Sequence, residues 1–257
     1  MRSLATLVAL AALLCLSGAH AAQPVTIHLA GDSTMAEKLP TKRPETGWGE
    51  FLAAQFREGS VVVDNRAKNG RSTRTFLEEG RWRDLLDATR PGDVVLIQFG
   101  HNDQSVEKPD RYTPPEDYAR NLERFVADVR AKDATPVLLT PVARRRFDEA
   151  GHVVASHGEY PDLVRALAAR ERVALIDMER RSSAVLQEAG VEGSKALFLW
   201  VAPGANPNYP DGVQDNTHFS PEGAARMARE FASALRGSGL PLALRLRTET
   251  SATDTVP

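Results

Sequence analysis

Residues 93–99 read D-V-V-L-I-Q-F and run straight into Gly100-His101-Asn102-Asp103. A mostly apolar stretch of this length, without alternation of polar and apolar positions, suits a β-strand covered on both faces. The pattern recurs at 25–30 (V-T-I-H-L-A), 60–65 (S-V-V-V-D-N), 135–140 (T-P-V-L-L-T) and 172–177 (R-V-A-L-I-D). Five buried strands are expected.

Between them lie helical patterns at 47–56, at 73–86 with a break near Gly80, and at 116–132, 160–170 and 178–188. The clearest places Tyr118, Leu122, Phe125, Val126 and Val129 on one stripe of an amphipathic helix. A last helix begins after Ser220, an N-cap followed by Pro221, and turns Ala224, Met227, Ala228, Phe231 and Leu235 inward. Parallel neighbours need crossover connections, so strands alternating with helices predict an α/β fold. The expected form is a three-layer, doubly wound, five-stranded parallel sheet of order 2-1-3-4-5. In such sheets ligands sit at the carboxyl ends of the strands, near the point where the strand order reverses. Chemistry is therefore expected just after strands one, two and three. No internal repeat is visible, and no Pro/Gly/Ser linker divides the chain.

The composition is that of a globular protein: 257 residues, 42% hydrophobic and 26% charged. With 32 Lys and Arg against 34 Asp and Glu, the chain lacks the basic excess that nucleic-acid binding needs, so no nucleic-acid partner is expected. Residues 1–21 read as a secretory signal peptide: Arg2, an apolar run from Leu4 to Leu16, then Ala19-His20-Ala21 at the cleavage site. A membrane anchor is the alternative, but the run is shorter than the ~20 residues a bilayer requires. Leu14 before Cys15 is too bulky for lipoprotein processing. Cleavage would remove Cys15, the only cysteine, which excludes thiol catalysis and Cys-ligated zinc in the mature chain. The expected organisation is a domain over 22–246, a frayed tail over 247–257, a periplasmic or extracellular location, and no membrane contact once the signal is gone. Subunit number is left open.

The strand ends carry suggestive residues. Gly31-Asp32-Ser33-Thr34 follows strand one and presents a hydroxyl that is either a nucleophile or an ordinary turn serine. Asn69-Gly70-Arg71-Ser72 follows strand two, with a backbone N–H at Gly70 free to approach a ligand. Gly100-His101-Asn102-Asp103 follows strand three. Asp215-Asn216-Thr217-His218 precedes the last helix, and in a tight turn that spacing lets the carboxylate orient the imidazole. Each motif alone is weak. Together they supply a nucleophile, a base, its orienter and oxyanion donors, in order and where the topology wants them. Residues 193–214, rich in Pro, Asn and Gly, are long for a connection and are expected to wall the site.

Gly31-Asp32-Ser33, Gly70, Asn102 and Asp215-x-x-His218 resemble the four blocks of the SGNH (GDSL-type) hydrolases. G-D-S-T-M-A, the Gly47–Gly49 run, G-R-S-T-R-T-F, F-G-H-N-D and D-N-T-H-F-S bring the sequence closer to the rhamnogalacturonan acetylesterase branch. That resemblance implies a flavodoxin-like fold and a secreted esterase that removes acetyl groups from pectin. It assigns Ser33 as nucleophile, His218 as base and Asp215 as its orienter, with the Ser33 and Gly70 N–H groups and the Asn102 side chain in the oxyanion hole. It implies no metal and no cofactor, and an acetylated polysaccharide as substrate. Arg144, Arg145 and Arg146 are candidates for pairing with pectic carboxylates, and Trp200 and Tyr209 for contact with sugar faces. The alternatives are a GDSL lipase or thioesterase, an acetylxylan-type esterase, and a non-catalytic carbohydrate-binding module.

Overall fold

A computed structural model describes residues 23–248; the expected signal peptide and residues 249–257 of the expected tail lie outside them. The central sheet is built from β1 (Val25–Gly31), β2 (Val61–Asn65), β3 (Val94–Gln98), β4 (Thr135–Leu139) and β5 (Ala174–Ile176). Its order is β2-β1-β3-β4-β5 and every pairing is parallel, so the order reverses between β1 and β3 as the sequence implies.

Every residue of β3 is buried, because it lies between two strands with helices on both faces. Alternation along it separates two cores. Val94 and Leu96 join Ile27, Leu29, Val137 and Leu139 on one face, beneath α5 (Met178–Gly193) and α6 (Pro221–Arg236). Val95 and Ile97 join Ala30 and Leu138 on the other face. There they meet α1 (Thr73–Glu78), α2 (Arg81–Ala88), α3 (Pro115–Arg130) and α4 (Tyr160–Glu171). In α6, Met227, Phe231 and Leu235 are fully buried, each contributing about 1.5–3 kcal/mol by leaving water.

Three expectations need correction. Residues 47–56 do not form an α-helix but two 3-10 turns, Trp48–Phe51 and Ala53–Gln55. The reason is tertiary: Gly47 lies so close to the turn after β1 that a Cβ there would stand 2.0 Å from the Ala36 carbonyl oxygen. Trp48 N–H donates to the Thr34 carbonyl at 2.9 Å, which holds the segment against that turn. Second, residues 193–214 are more than a connection. They contain β6 (Phe198–Val201), which pairs antiparallel with β7 (Val213–Phe219) in a small second sheet. Third, Arg247 does not fray, since its backbone N–H bonds the Gln55 carbonyl and its guanidinium bonds that of Phe56.

Trp48 is fully buried, stacks on Phe231 with ring centroids 5.5 Å apart, and donates its indole N–H to Gln98 Oε1 at 2.9 Å. Trp48→Phe keeps most of the apolar contact and leaves that buried oxygen with only the long 3.5 Å contact from the Thr34 hydroxyl, which should cost about 1–3 kcal/mol in urea unfolding. Unchanged stability would show that Gln98 finds another partner.

Candidate active site

The strands end where the four motifs begin, so one edge of the sheet gathers them. Ser33 opens the turn after β1, fixed by the carboxylate of its neighbour. Asp32 Oδ1 accepts from the Thr34 N–H at 2.9 Å and from the Thr34 hydroxyl at 2.8 Å. Across the turn Asp32 Oδ2 lies 3.4 Å from His101 Nδ1. Burial by itself would raise the Asp32 carboxyl, but His101 and the Thr34 donors outweigh it and hold it below the usual carboxylate range. Burial in turn keeps the His101 imidazole below its ordinary value, with Asp32 opposing.

Asp215 and His218 lie within β7, not in the expected tight turn: they fall where the pairing of β7 with β6 shifts register. Asp215 Oδ1 accepts from the N–H groups of Thr217 at 2.6 Å and His218 at 2.9 Å. Asp215 Oδ2 is 2.7 Å from His218 Nδ1, and His218 Nε2 is 2.9 Å from Ser33 Oγ. With its proton on Nδ1, His218 donates to Asp215 and accepts from the Ser33 hydroxyl. Burial would raise the Asp215 carboxyl, but the His218 ring and the two backbone donors prevail and lower it to about 2.

Gly70 turns in the left-handed region at φ 76°, where a side chain would be strained. Asn102, 9% exposed, donates from Nδ2 to the Arg71 carbonyl at 3.0 Å, and its amide carries a second N–H. Next to it, burial pushes the Asp103 carboxyl up to about 7 against the Thr73 donors that oppose it.

These groups share a cleft of about 580 Å³. Ser33, Gly70, Asn102 and His218 line it, with Lys42, Glu45, Arg71, Glu79, Lys108, Asp110, Arg111 and Arg144 around them. Among the described residues lining it, no side chain is apolar.

The remaining candidates separate. Arg144 reaches the cleft, braced by the Ser156 and His101 carbonyls. Arg145 does not: it is buried and bonded to Ser194 Oγ and Asn216 Oδ1. Arg146 is exposed away from the cleft. Trp200 also lies off the cleft, donating to Asn216 Oδ1 at 3.1 Å beneath the Arg145 guanidinium, 5.0 Å from its ring centroid. Both therefore support the strand that carries His218. Tyr209 acts at one remove, its hydroxyl donating to the Lys42 carbonyl at 3.0 Å. The 193–214 stretch contributes nothing to the cleft lining and braces the 40–43 segment through Tyr209 and Asn208. Nothing in the sequence distinguishes Lys38 and Glu45 from surface charges.

A flavodoxin-like sheet carrying Ser33, Gly70, Asn102 and His218 at one edge has the architecture of the SGNH hydrolases. The sequence matches the GDSL-like Lipase/Acylhydrolase family over residues 29–226, and the chain belongs to that family. It is a carboxylic ester hydrolase. It is 44% identical over 220 residues to the rhamnogalacturonan acetylesterase RhgT of Bacillus subtilis (strain 168), covering 86% of this chain and 93% of that one. To the rhamnogalacturonan acetylesterase of Emericella nidulans it is 31% identical over 245 residues, covering 90% and 93%. Among solved structures, protein YXIM of Bacillus subtilis superposes with a TM-score of 0.73 at 27% identity; the match covers 85% of this chain and 58% of that one. The acetylxylan esterase Axe2 of Geobacillus stearothermophilus shares the fold, with a TM-score of 0.60 at 20% identity, over 87% and 97% of the two chains.

Because the native Asp215 value lies below the ordinary 3.8, the pairing stabilises the fold above that pH and loses its contribution as the pH falls through about 2. Carbon NMR of the Asp215 carboxyl should show titration near pH 2, and His218→Ala should move it upward, since burial then acts with fewer opposing donors. Titration near the ordinary value in both proteins would show that the pair does not form in solution.

Proposed function

We propose that the protein is a secreted serine esterase that removes acetyl groups from a pectic polysaccharide, most closely acetylated rhamnogalacturonan. The observation that carries the reading is the continuous chain from Asp215 Oδ2 through His218 to Ser33 Oγ, with links of 2.7 and 2.9 Å, opening into a cleft lined by Gly70 and Asn102.

The chemistry follows from that geometry. Ser33 Oγ attacks the acetyl carbonyl as its proton passes to His218 Nε2, and the negative charge gathers on the carbonyl oxygen. The N–H groups of Ser33 and Gly70 and the Asn102 amide receive it. His218 returns the proton to the departing sugar oxygen as the carbon–oxygen bond breaks. Water then repeats the cycle on the acetyl-enzyme and releases acetate. Asp215 stays ionised throughout, orienting the ring and stabilising the imidazolium.

The substrate class is supported by the cleft walls. A wholly polar lining does not suit a long acyl chain, which argues against a lipase or thioesterase. Lys42, Arg71, Lys108, Arg111 and Arg144 outnumber Glu45, Glu79 and Asp110, a surplus that fits the carboxylates of a pectic chain better than neutral xylan. The curated relatives named for rhamnogalacturonan point the same way. Export is supported by Arg2, the Leu4–Leu16 run and Ala19-His20-Ala21.

Acetate release from acetylated rhamnogalacturonan should exceed that from acetylated xylan and from a long-chain ester, and Ser33→Ala should lower kcat by several orders of magnitude without loss of fold. A Ser33→Ala protein that keeps a tenth of the activity would defeat the mechanism, and preference for xylan would defeat the substrate. Asp215→Asn presents an amide N–H to Nδ1 and selects the tautomer whose Nε2 already bears a proton. Its kcat should fall at least about tenfold, and up to the ~10⁴ of the serine-protease case.

A further inference from the structure

Lys38 is 4% exposed, and its side chain is wholly covered. An ammonium is costly to bury unless its three N–H donors meet acceptors. Here three oxygens surround it: the Ser33 carbonyl and Asn69 Oδ1 at 2.9 Å accept hydrogen bonds, and Glu45 Oε1 at 2.8 Å is its ion-pair partner. Each acceptor touches a different part of the site. Ser33 carries the attacking hydroxyl. Asn69 supplies the carbonyl half of the peptide that bears the Gly70 N–H, and that carbonyl accepts from Arg71 Nη1 at 2.9 Å. Glu45 Oε1 lies 4.0 Å from His218 Nε2, on the side where the imidazole faces Ser33.

We propose that Lys38 is a positioning residue for the hydrolysis: its ammonium ties the Ser33 carbonyl to the Asn69 side chain, next to the Gly70 peptide, and neutralises the Glu45 carboxylate beside His218. The inference rests on the Ser33–His218 mechanism and adds to it a residue that never touches substrate. A lysine buried only for packing would contribute stability and leave the ionisation of the base alone. The charged groups that face His218 are Asp215 at Nδ1, Glu45 near Nε2, and His101, Arg144 and Lys42 from the same cleft. Those facing Lys38 are Glu45, Asp32 and Glu50. The Lys38–Glu45 pair is neutral as it stands. Removing either charge leaves the other acting on the imidazole, in opposite directions.

The test measures kcat, KM and the acid limb of kcat/KM with p-nitrophenyl acetate, after circular dichroism has confirmed the fold. Lys38→Met should lower kcat by about tenfold or more with little change in KM, because misplaced catalytic groups cost rate rather than ground-state binding. Its acid limb should move to higher pH, since an unpaired Glu45 favours imidazolium. Glu45→Gln should move the limb to lower pH. The double variant Lys38→Met/Glu45→Gln should restore the limb and keep the low kcat, because the tethers to Ser33 and Asn69 are still missing. A folded Lys38→Met with wild-type kcat, or limbs unmoved in both single variants, would overturn the proposal. If Lys38→Met does not fold, an unmoved limb in Glu45→Gln alone overturns it. Activity that survives Ser33→Ala would instead bring down the mechanism on which the inference rests, so the two failures are distinct.

Discussion

The backbone of the turn after β1 is held from several directions at once, and the remainder of the site is arranged around that constraint. Gly31 accepts at its carbonyl from the Lys68 N–H, Thr34 from the Trp48 N–H, and Met35 from Asn65 Nδ2. Ser33 accepts from Lys38, and Thr34 is tied to Asp32 by backbone and hydroxyl alike. Buried peptide groups must be paired, and here segments far apart in sequence supply the partners. The segment that follows β2, the 3-10 turn at Trp48 and the lysine at position 38 thus all lock onto one short piece of chain. Rigidity of this kind suits the role proposed for Ser33, which has to be poised before its substrate arrives.

Charge around the turn is settled locally. Asp32 faces His101, whose ring meets His157 edge-on with centroids 4.3 Å apart. Asp215 faces His218, and Lys38 faces Glu45. Of these, Lys38–Glu45 is the buried ion pair; such a pair adds little net stability compared with apolar packing, yet losing one member costs about 3–5 kcal/mol because the survivor is left without a partner. The charges of Lys38 and Glu45 cancel, and the cationic side chains that line the cleft are Lys42, Arg71, Lys108, Arg111 and Arg144. Such a surplus suits the anionic polymer proposed as substrate.

The β6–β7 hairpin works from behind. Arg145 and Trp200 converge on Asn216, between Asp215 and His218, while Asn208 and Tyr209 fasten the segment that carries Lys42. Residues that look in the sequence like sugar-contacting aromatics thus brace the strand that carries His218 and the segment that carries Lys42. Position explains the difference: Trp200 on β6 meets the Asn216 side chain of β7, and Asn208 and Tyr209 meet the backbone of residues 40–43, so none of the three lines the cleft.

Much of the architecture is legible without coordinates. Period and length betray the five strands, because a strand buried on both faces needs consecutive apolar residues. Their alternation with helices dictates a parallel sheet, and the order of a doubly wound sheet says which ends bear chemistry. Ser33, Gly70, Asn102, Asp215 and His218 were accordingly readable as a set. The 3-10 path of residues 47–56 was not, since it depends on how closely Gly47 approaches Ala36, a contact between separate segments. Nor were the burial of Lys38, the pairing of Glu45, or the split between Arg144 in the cleft and Arg145 beneath it. Local sequence governs a residue's own backbone preference and the face it shares with neighbours a few positions away. Whether a charge is solvated or enclosed depends on chain that arrives from elsewhere, and only the tertiary fold decides that.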